Sequence, residues 1–178
     1  MTDENERRLG KWRRFRNRSP DDRSLIVSAA LFLPLTQLGF RLLGFRRWKE
    51  FIEQFLPSVN ASDPLPAVTQ AEMARHMARS VRSGELHGPA TPNCLVRSTV
   101  LWWFLRRRGI DGELHIGARK NGTSFEAHAW VELGGQVLND TPEVHHHYSR
   151  FDAPIAAAES DPSFHIEEKI DAIKTEPR

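Results

Sequence analysis

Cys94 is the only cysteine among 178 residues, and it sits in TPNCLVRSTVLWWFLRRRG, where a proline and an asparagine give way to an apolar run that stops at Gly109. Asn93 is a good N-cap, and Gly109 stands where a left-handed residue ends a helix, so the pattern predicts a helix from Cys94 to Arg108. A thiol at that end ionises more readily, because unpaired amides and the positive end of the helix dipole favour the thiolate. The plain alternative is packing: free cysteines are among the most buried residue types.

A nucleophilic thiol needs a base. Of eight histidines, His76 falls on a predicted helix surface and His87 in a loop, while His145, His146, His147 and His165 lie in a loosely patterned tail. Three adjacent histidines converge poorly on a metal, so a surface placement is expected for them. His115 and His128 fall on predicted strands, where a rigid scaffold could aim a ring at the helix start. His128 has the better surroundings: in FEAHAWVEL, strand alternation puts Phe125, Ala127, Ala129, Val131 and Leu133 on one face and Glu126, His128, Trp130 and Glu132 on the other. Trp130 beside His128 could shield its ring from water.

An acceptor that fixes the imidazole tautomer would complete a triad. The candidate is Asp140, twelve residues beyond His128 and past the Gly134–Gly135 turn. Parity decides whether it faces His128. An odd loop, Leu133-Gly134-Gly135 with Gly135 as a left-handed bulge, pairs His128 with Asp140, whereas a two-residue turn hands the place to Asn139. A carboxylate stabilises an imidazolium better than an amide does, so the odd loop and Asp140 are the expectation.

The elements that must position these groups follow from periodicity. A basic arm covers residues 1–20, and a helical extension with a linker covers 21–68, with helix breaks expected at Pro34 and near Gly44. A helix is predicted at 69–82, followed by the turn-rich SGELHGPATPN. Beyond the Cys94 helix the period changes from 3.6 to 2, giving strands at 113–120, 123–133 and 136–140 joined by Asn121–Gly122 and Gly134–Gly135. The catalytic core is read as 69–144, leaving a tail at 145–178 in which 164–173 could form a short helix. The fold class is α+β: a buried helix carrying Cys94, packed on an antiparallel sheet, with a helical extension before it.

Composition narrows the function classes. A net charge of +2 gives no general case for nucleic acid, and no aromatic platform accompanies the arginines of the N-terminal arm. A single cysteine excludes an internal disulfide and suits a reducing compartment. The polar, charged N-terminus does not read as a cleavable signal peptide. No phosphate loop and no convincing metal cluster is present, so no cofactor is expected. The apolar segment at 25–45 is about long enough to span a bilayer, but Pro34, Gln37 and Arg41 interrupt it. Two short packed helices meeting at Pro34 are the reading adopted, with membrane association as the alternative.

The ordered set of cysteine at a helix start, histidine on a following strand and aspartate on the next resembles the transglutaminase-like cysteine protease superfamily. More narrowly, NCLVRSTVLWWFLRRRGIDGELHIGARK followed by FEAHAWVELGGQVLND resembles the lasso-peptide leader peptidases, closely over about residues 90–141. The resemblance implies a transglutaminase/papain-like core, a cytoplasmic bacterial setting, and a triad of Cys94 as nucleophile, His128 as base and Asp140 as orienting acid. It implies removal of the leader from a ribosomally made precursor peptide, so that a lasso cyclase can close the ring. Leader capture in that family belongs to a small recognition domain built of strands. Residues 1–68 read as helices instead, so a stand-alone peptidase with a separate leader-recognition protein is expected. Two other readings remain: a transglutaminase or amide acyltransferase using the same triad, and a non-catalytic peptide-binding scaffold.

Overall fold

The computed structural model describes residues 19–56, 66–89, 91–121 and 124–151, and the fold is given for these. The basic arm before residue 19, most of the expected linker and the expected helix at 164–173 lie outside them.

Helix α1 spans Pro20–Glu53, α2 Ala67–His87 and α3 Cys94–Arg107. Strands β1 (Glu113–Asn121), β2 (Ser124–Leu133) and β3 (Gln136–Val137) follow, then a single turn of helix, α4 (Val144–His147), and β4 (Ser149–Arg150). The sheet is antiparallel, in the order β3-β2-β1-β4. The described residues are thus α+β, with α3 between the other two long helices and a four-stranded sheet.

Helix α1 corrects one expectation. It runs through Pro34 unbroken, whereas its backbone leaves helical geometry at Gly44 as expected (φ 79°). Trp48 then folds back so closely on Gly39 that a Cβ there would lie 2.2 Å from the indole. Two features tie α1 to its neighbours. Asp22 pairs with His76 of α2, and the Ile52 carbonyl accepts a hydrogen bond from Trp103 Nε1 at 2.9 Å. The opposite side of α1 carries an exposed stripe, Val27, Leu31, Leu35, Leu38 and Leu42. By length and composition alone α1 could cross a membrane.

Helix α3 is the hub of the core. Every residue from Ser98 to Leu105 is buried, because α1 and α2 cover one side and the sheet covers the other. Phe32 of α1 stacks on Trp103 at 4.3 Å between centroids. Lys49, also buried, reaches Glu53 at 2.9 Å and lies 5.0 Å over the Trp102 ring, so its charge is met by a carboxylate and a π face. The apolar run VLWWFL is therefore buried all round, as its lack of a polar side implies.

Strand β2 departs from simple alternation. Ser124 to Ala127 are exposed, whereas Ala129 to Glu132 are buried on both faces. The cause lies in the chain after Thr141: α4 and β4 cover the second face, where Glu132 accepts from Arg150 Nη2 at 2.8 Å and from Trp130 Nε1 at 2.5 Å. Gly117 makes this closure possible. A Cβ at that position would meet the Ser149 carbonyl at 2.9 Å and the Trp130 ring at 3.0 Å.

Candidate active site

Cys94 is the first residue of α3. Asn93 caps the helix, its Oδ1 accepting from the Val96 amide at 2.9 Å, while its carbonyl takes the Arg97 amide at 3.1 Å. The cap thus employs the third and fourth amides of the turn. Those of Cys94 and Leu95 have no hydrogen-bond partner among the described residues. Two open N–H groups at a positive helix end are suited to hold negative charge. The thiol is partly exposed.

One turn later, Ser98 fixes this helix start to β2. Its Oγ donates to the Ala129 carbonyl at 2.8 Å, the carbonyl next along from His128, and accepts from Asn139 Nδ2 at 2.9 Å. Asn139 in turn accepts the Val131 amide on Oδ1 at 2.8 Å. Helix, strand and the segment leading to Asp140 are therefore joined by one partly buried chain of hydrogen bonds.

His128 Nε2 is paired with Asp140 Oδ2. The second carboxylate oxygen of Asp140 accepts the Thr141 amide at 2.7 Å, which orients the group from behind. With Nε2 so held, Nδ1 is the ring nitrogen left for another partner. Two aromatic rings lie nearly parallel to the imidazole, Tyr148 at 4.9 Å and Trp130 at 6.3 Å between centroids. Burial raises the Tyr148 phenol above its usual range, Arg119 opposes that rise, and Glu126, Asp140 and Cys94 add to it.

The route by which Asp140 reaches His128 corrects the expected hairpin. Leu133 pairs with Gln136, leaving a two-residue turn in which Gly134 and Gly135 both have positive φ (55° and 78°), not the three-residue bulged loop. Continued, that register sets Asp140 opposite Ala129 and gives the His128 face to Asn139. The ladder stops first. Strand β3 ends at Val137, the Asn139 amide replaces the next backbone partners of β2, and Pro142 has no N–H with which to resume pairing. Freed from alternation, the bend at 138–140 turns Asn139 toward α3 and Asp140 toward His128.

The other strand histidine, His115, belongs to a separate cluster. It stacks on Trp130 at 5.8 Å, with Nε2 3.2 Å from Glu113 and 3.8 Å from Glu132. Burial lowers its pKa, against the pull of Glu132. His145 joins the same cluster, its Nδ1 accepting from Arg150 at 2.5 Å, while His146 and His147 are exposed. Sequence reasoning missed Tyr148. Its being the only tyrosine in the chain was the available signal, but it sits where no periodicity could assign a face.

Residues 38–151, more than half of the chain, match the model of the transglutaminase-like superfamily. A segment of 52 residues is 46% identical to the microcin J25-processing protein McjB of Escherichia coli; it amounts to 29% of this chain and 24% of that protein. The chain thus spans about a quarter of the length of this curated relative. No solved structure matches significantly. The match covers the Cys94 helix and the antiparallel sheet it packs on: the chain belongs to the transglutaminase-like superfamily.

Proposed function

We propose that this protein is a cysteine peptidase that removes the leader from a ribosomally made lasso-peptide precursor. The observation that carries the reading is the pairing of His128, on β2, with Asp140, in the bend after β3, beside a Cys94 helix that Ser98 ties to β2. The partial likeness to McjB, a microcin J25-processing protein, supports the substrate class.

His128 Nδ1 takes the Cys94 proton, and the sulfur attacks the carbonyl of the leader–core peptide bond. The tetrahedral oxyanion lies against the open amides of Cys94 and Leu95. His128, now an imidazolium stabilised by Asp140, protonates the departing amine of the core peptide, leaving the leader as a thioester on Cys94. Water, deprotonated by His128, then releases the leader. A separate recognition protein delivers the leader, and a lasso cyclase takes the freed core.

The test is to incubate the protein with a lasso precursor and its leader-recognition protein and to follow masses over time. Leader and core should appear with the wild type and be lost with Cys94→Ala and with His128→Ala. Release at the full rate by either variant overturns the assignment. Products joined to an added amine instead of water would move the chain to the acyltransferases.

A further inference from the structure

Beside the candidate active site lies a groove of about 580 Å³ between α2 and the edge of the sheet, ending at Asp140. Its rim is basic. Arg75, Arg79 and Arg82 recur along one face of α2, and Arg97 joins them from α3. Two of the four are engaged: Arg97 pairs with Glu85 at 2.9 Å, and Arg75 donates to Gln136 of β3 at 2.8 Å. Arg79 and Arg82 are exposed and have no acidic partner among the described residues.

The floor is strand β3, the open edge of the sheet, where Val137 and Leu138 line the groove. The phase of the ladder shows which backbone groups are free. The Leu138 amide donates to the Val131 carbonyl at 2.9 Å, making that a hydrogen-bonded pair, so the Val137–Glu132 pair between it and the turn is a non-hydrogen-bonded one. Val137 N–H and C=O therefore point outward, into the groove.

We propose that this groove seats an acidic, extended segment of the peptide substrate, added as a strand on β3 with its carboxylates against Arg79 and Arg82. The identity of that peptide as substrate rests on the peptidase reading. Three features favour a peptide over a nucleic acid: an outward backbone donor and acceptor to pair with, an aliphatic floor, and no aromatic side chain among the lining residues on which a base could stack. The groove leads to Asp140, so a strand bound in it runs toward His128.

The test uses the full chain carrying Cys94→Ala, which has no side-chain nucleophile at that position, and a fluorescein-labelled octapeptide alternating Asp with Val, read by anisotropy. The Asn/Val isostere should bind about tenfold more weakly or worse, as should the Asp/Val peptide to Arg79→Glu/Arg82→Glu, and N-methylation of the probe's central amides should also weaken it. The milder pair Arg79→Gln/Arg82→Gln should show an intermediate loss without a change in melting temperature, and it decides the matter if the charge reversal does not fold. Equal affinity for the two peptides overturns the proposal, as does binding indifferent to these arginines or to N-methylation. An octathymidylate that binds more tightly and is lost with the same arginines overturns it in favour of nucleic acid. Failure of leader cleavage would count against the peptidase and leave this binding result standing by itself.

Discussion

Asp140 contacts His128 although the hairpin register assigns it to the opposite face of the sheet; the adjacent Asn139 turns inward and binds Ser98. Strand alternation would have given the two residues each other's place. The bend at 138–140 therefore turns one side chain to the His128 ring and its neighbour to α3, and this separation can be measured.

Asp140→Asn keeps the shape of the side chain but removes the charge that stabilises an imidazolium. It should lower kcat by roughly 10²–10⁴-fold, with the melting temperature nearly unchanged. Asn139→Ala should do the reverse. It strips two partly buried hydrogen bonds and leaves the Val131 amide without its acceptor, at about 1–3 kcal/mol of stability. Paired thermal melts and single-turnover rates check both; a large rate loss with intact stability in Asn139→Ala would reverse the assignment.

Ser98→Ala tests how Cys94 is positioned. The hydroxyl donates to the Ala129 carbonyl and accepts from Asn139, so its removal leaves a buried acceptor and a partly buried donor unmatched. A loss of about 1–3 kcal/mol in denaturant unfolding is expected. Alkylation of Cys94 by iodoacetamide at a fixed pH supplies the second readout: its rate should fall in Ser98→Ala because the helix start is no longer held against β2, and an unchanged rate would leave Ser98 a purely stabilising role.

Much of this site is legible in the sequence because local rules govern it. Asn93, Cys94 and Gly109 mark the ends of α3 by capping chemistry, and the all-apolar VLWWFL marks it as buried from several sides. Strands β1 and β2 follow from alternation and turn residues. What stays hidden depends on contacts distant in sequence. Pro34 suggests a break, yet packing against α2 and α3 carries the helix through it, and the change of direction falls at Gly44. Asp140 meets His128 by another route than the expected loop parity, since the Asn139 amide ends the ladder before parity applies. Tyr148 follows no period at all; Arg119, 4.8 Å away over its ring, and the short β4 strand place it.

Acid stability should depend on His115. Its pKa is lowered in the fold, chiefly by burial, so the unfolded chain binds the extra proton first as pH falls. The stability contribution is therefore complete above the unfolded pKa of about 6.5 and is lost as pH drops from there through the folded value. His115→Gln cannot titrate. Its melting temperature should fall less steeply than that of the wild type below about pH 6.5, a difference that removes the carboxylate contributions common to both. Parallel slopes would mean that His115 is not held neutral by its surroundings.

Gly117 and Tyr148 together test whether the second face of the sheet serves the site or only covers it. Gly117 stands opposite His128 in the β1–β2 ladder and opposite Arg150 in the β1–β4 ladder. Gly117→Ala drives a methyl group into the Ser149 carbonyl and the Trp130 ring, neither of which is the free end of a flexible side chain. Overpacking of this kind costs about 1–3 kcal/mol, and relief comes most easily by displacing β4, which carries Tyr148 off His128. Tyr148→Ala removes the stacked ring without that clash, while Tyr148→Phe keeps the ring. A stacked pair of this type contributes about 0.5–1.5 kcal/mol, so Tyr148→Ala should slow leader release by roughly two- to twelvefold and Tyr148→Phe should stay near the wild type. If Gly117→Ala slows the reaction to the same degree as Tyr148→Ala, and the double variant adds no further loss, the two act through one contact; independent, multiplying losses would place the glycine's effect elsewhere in the sheet.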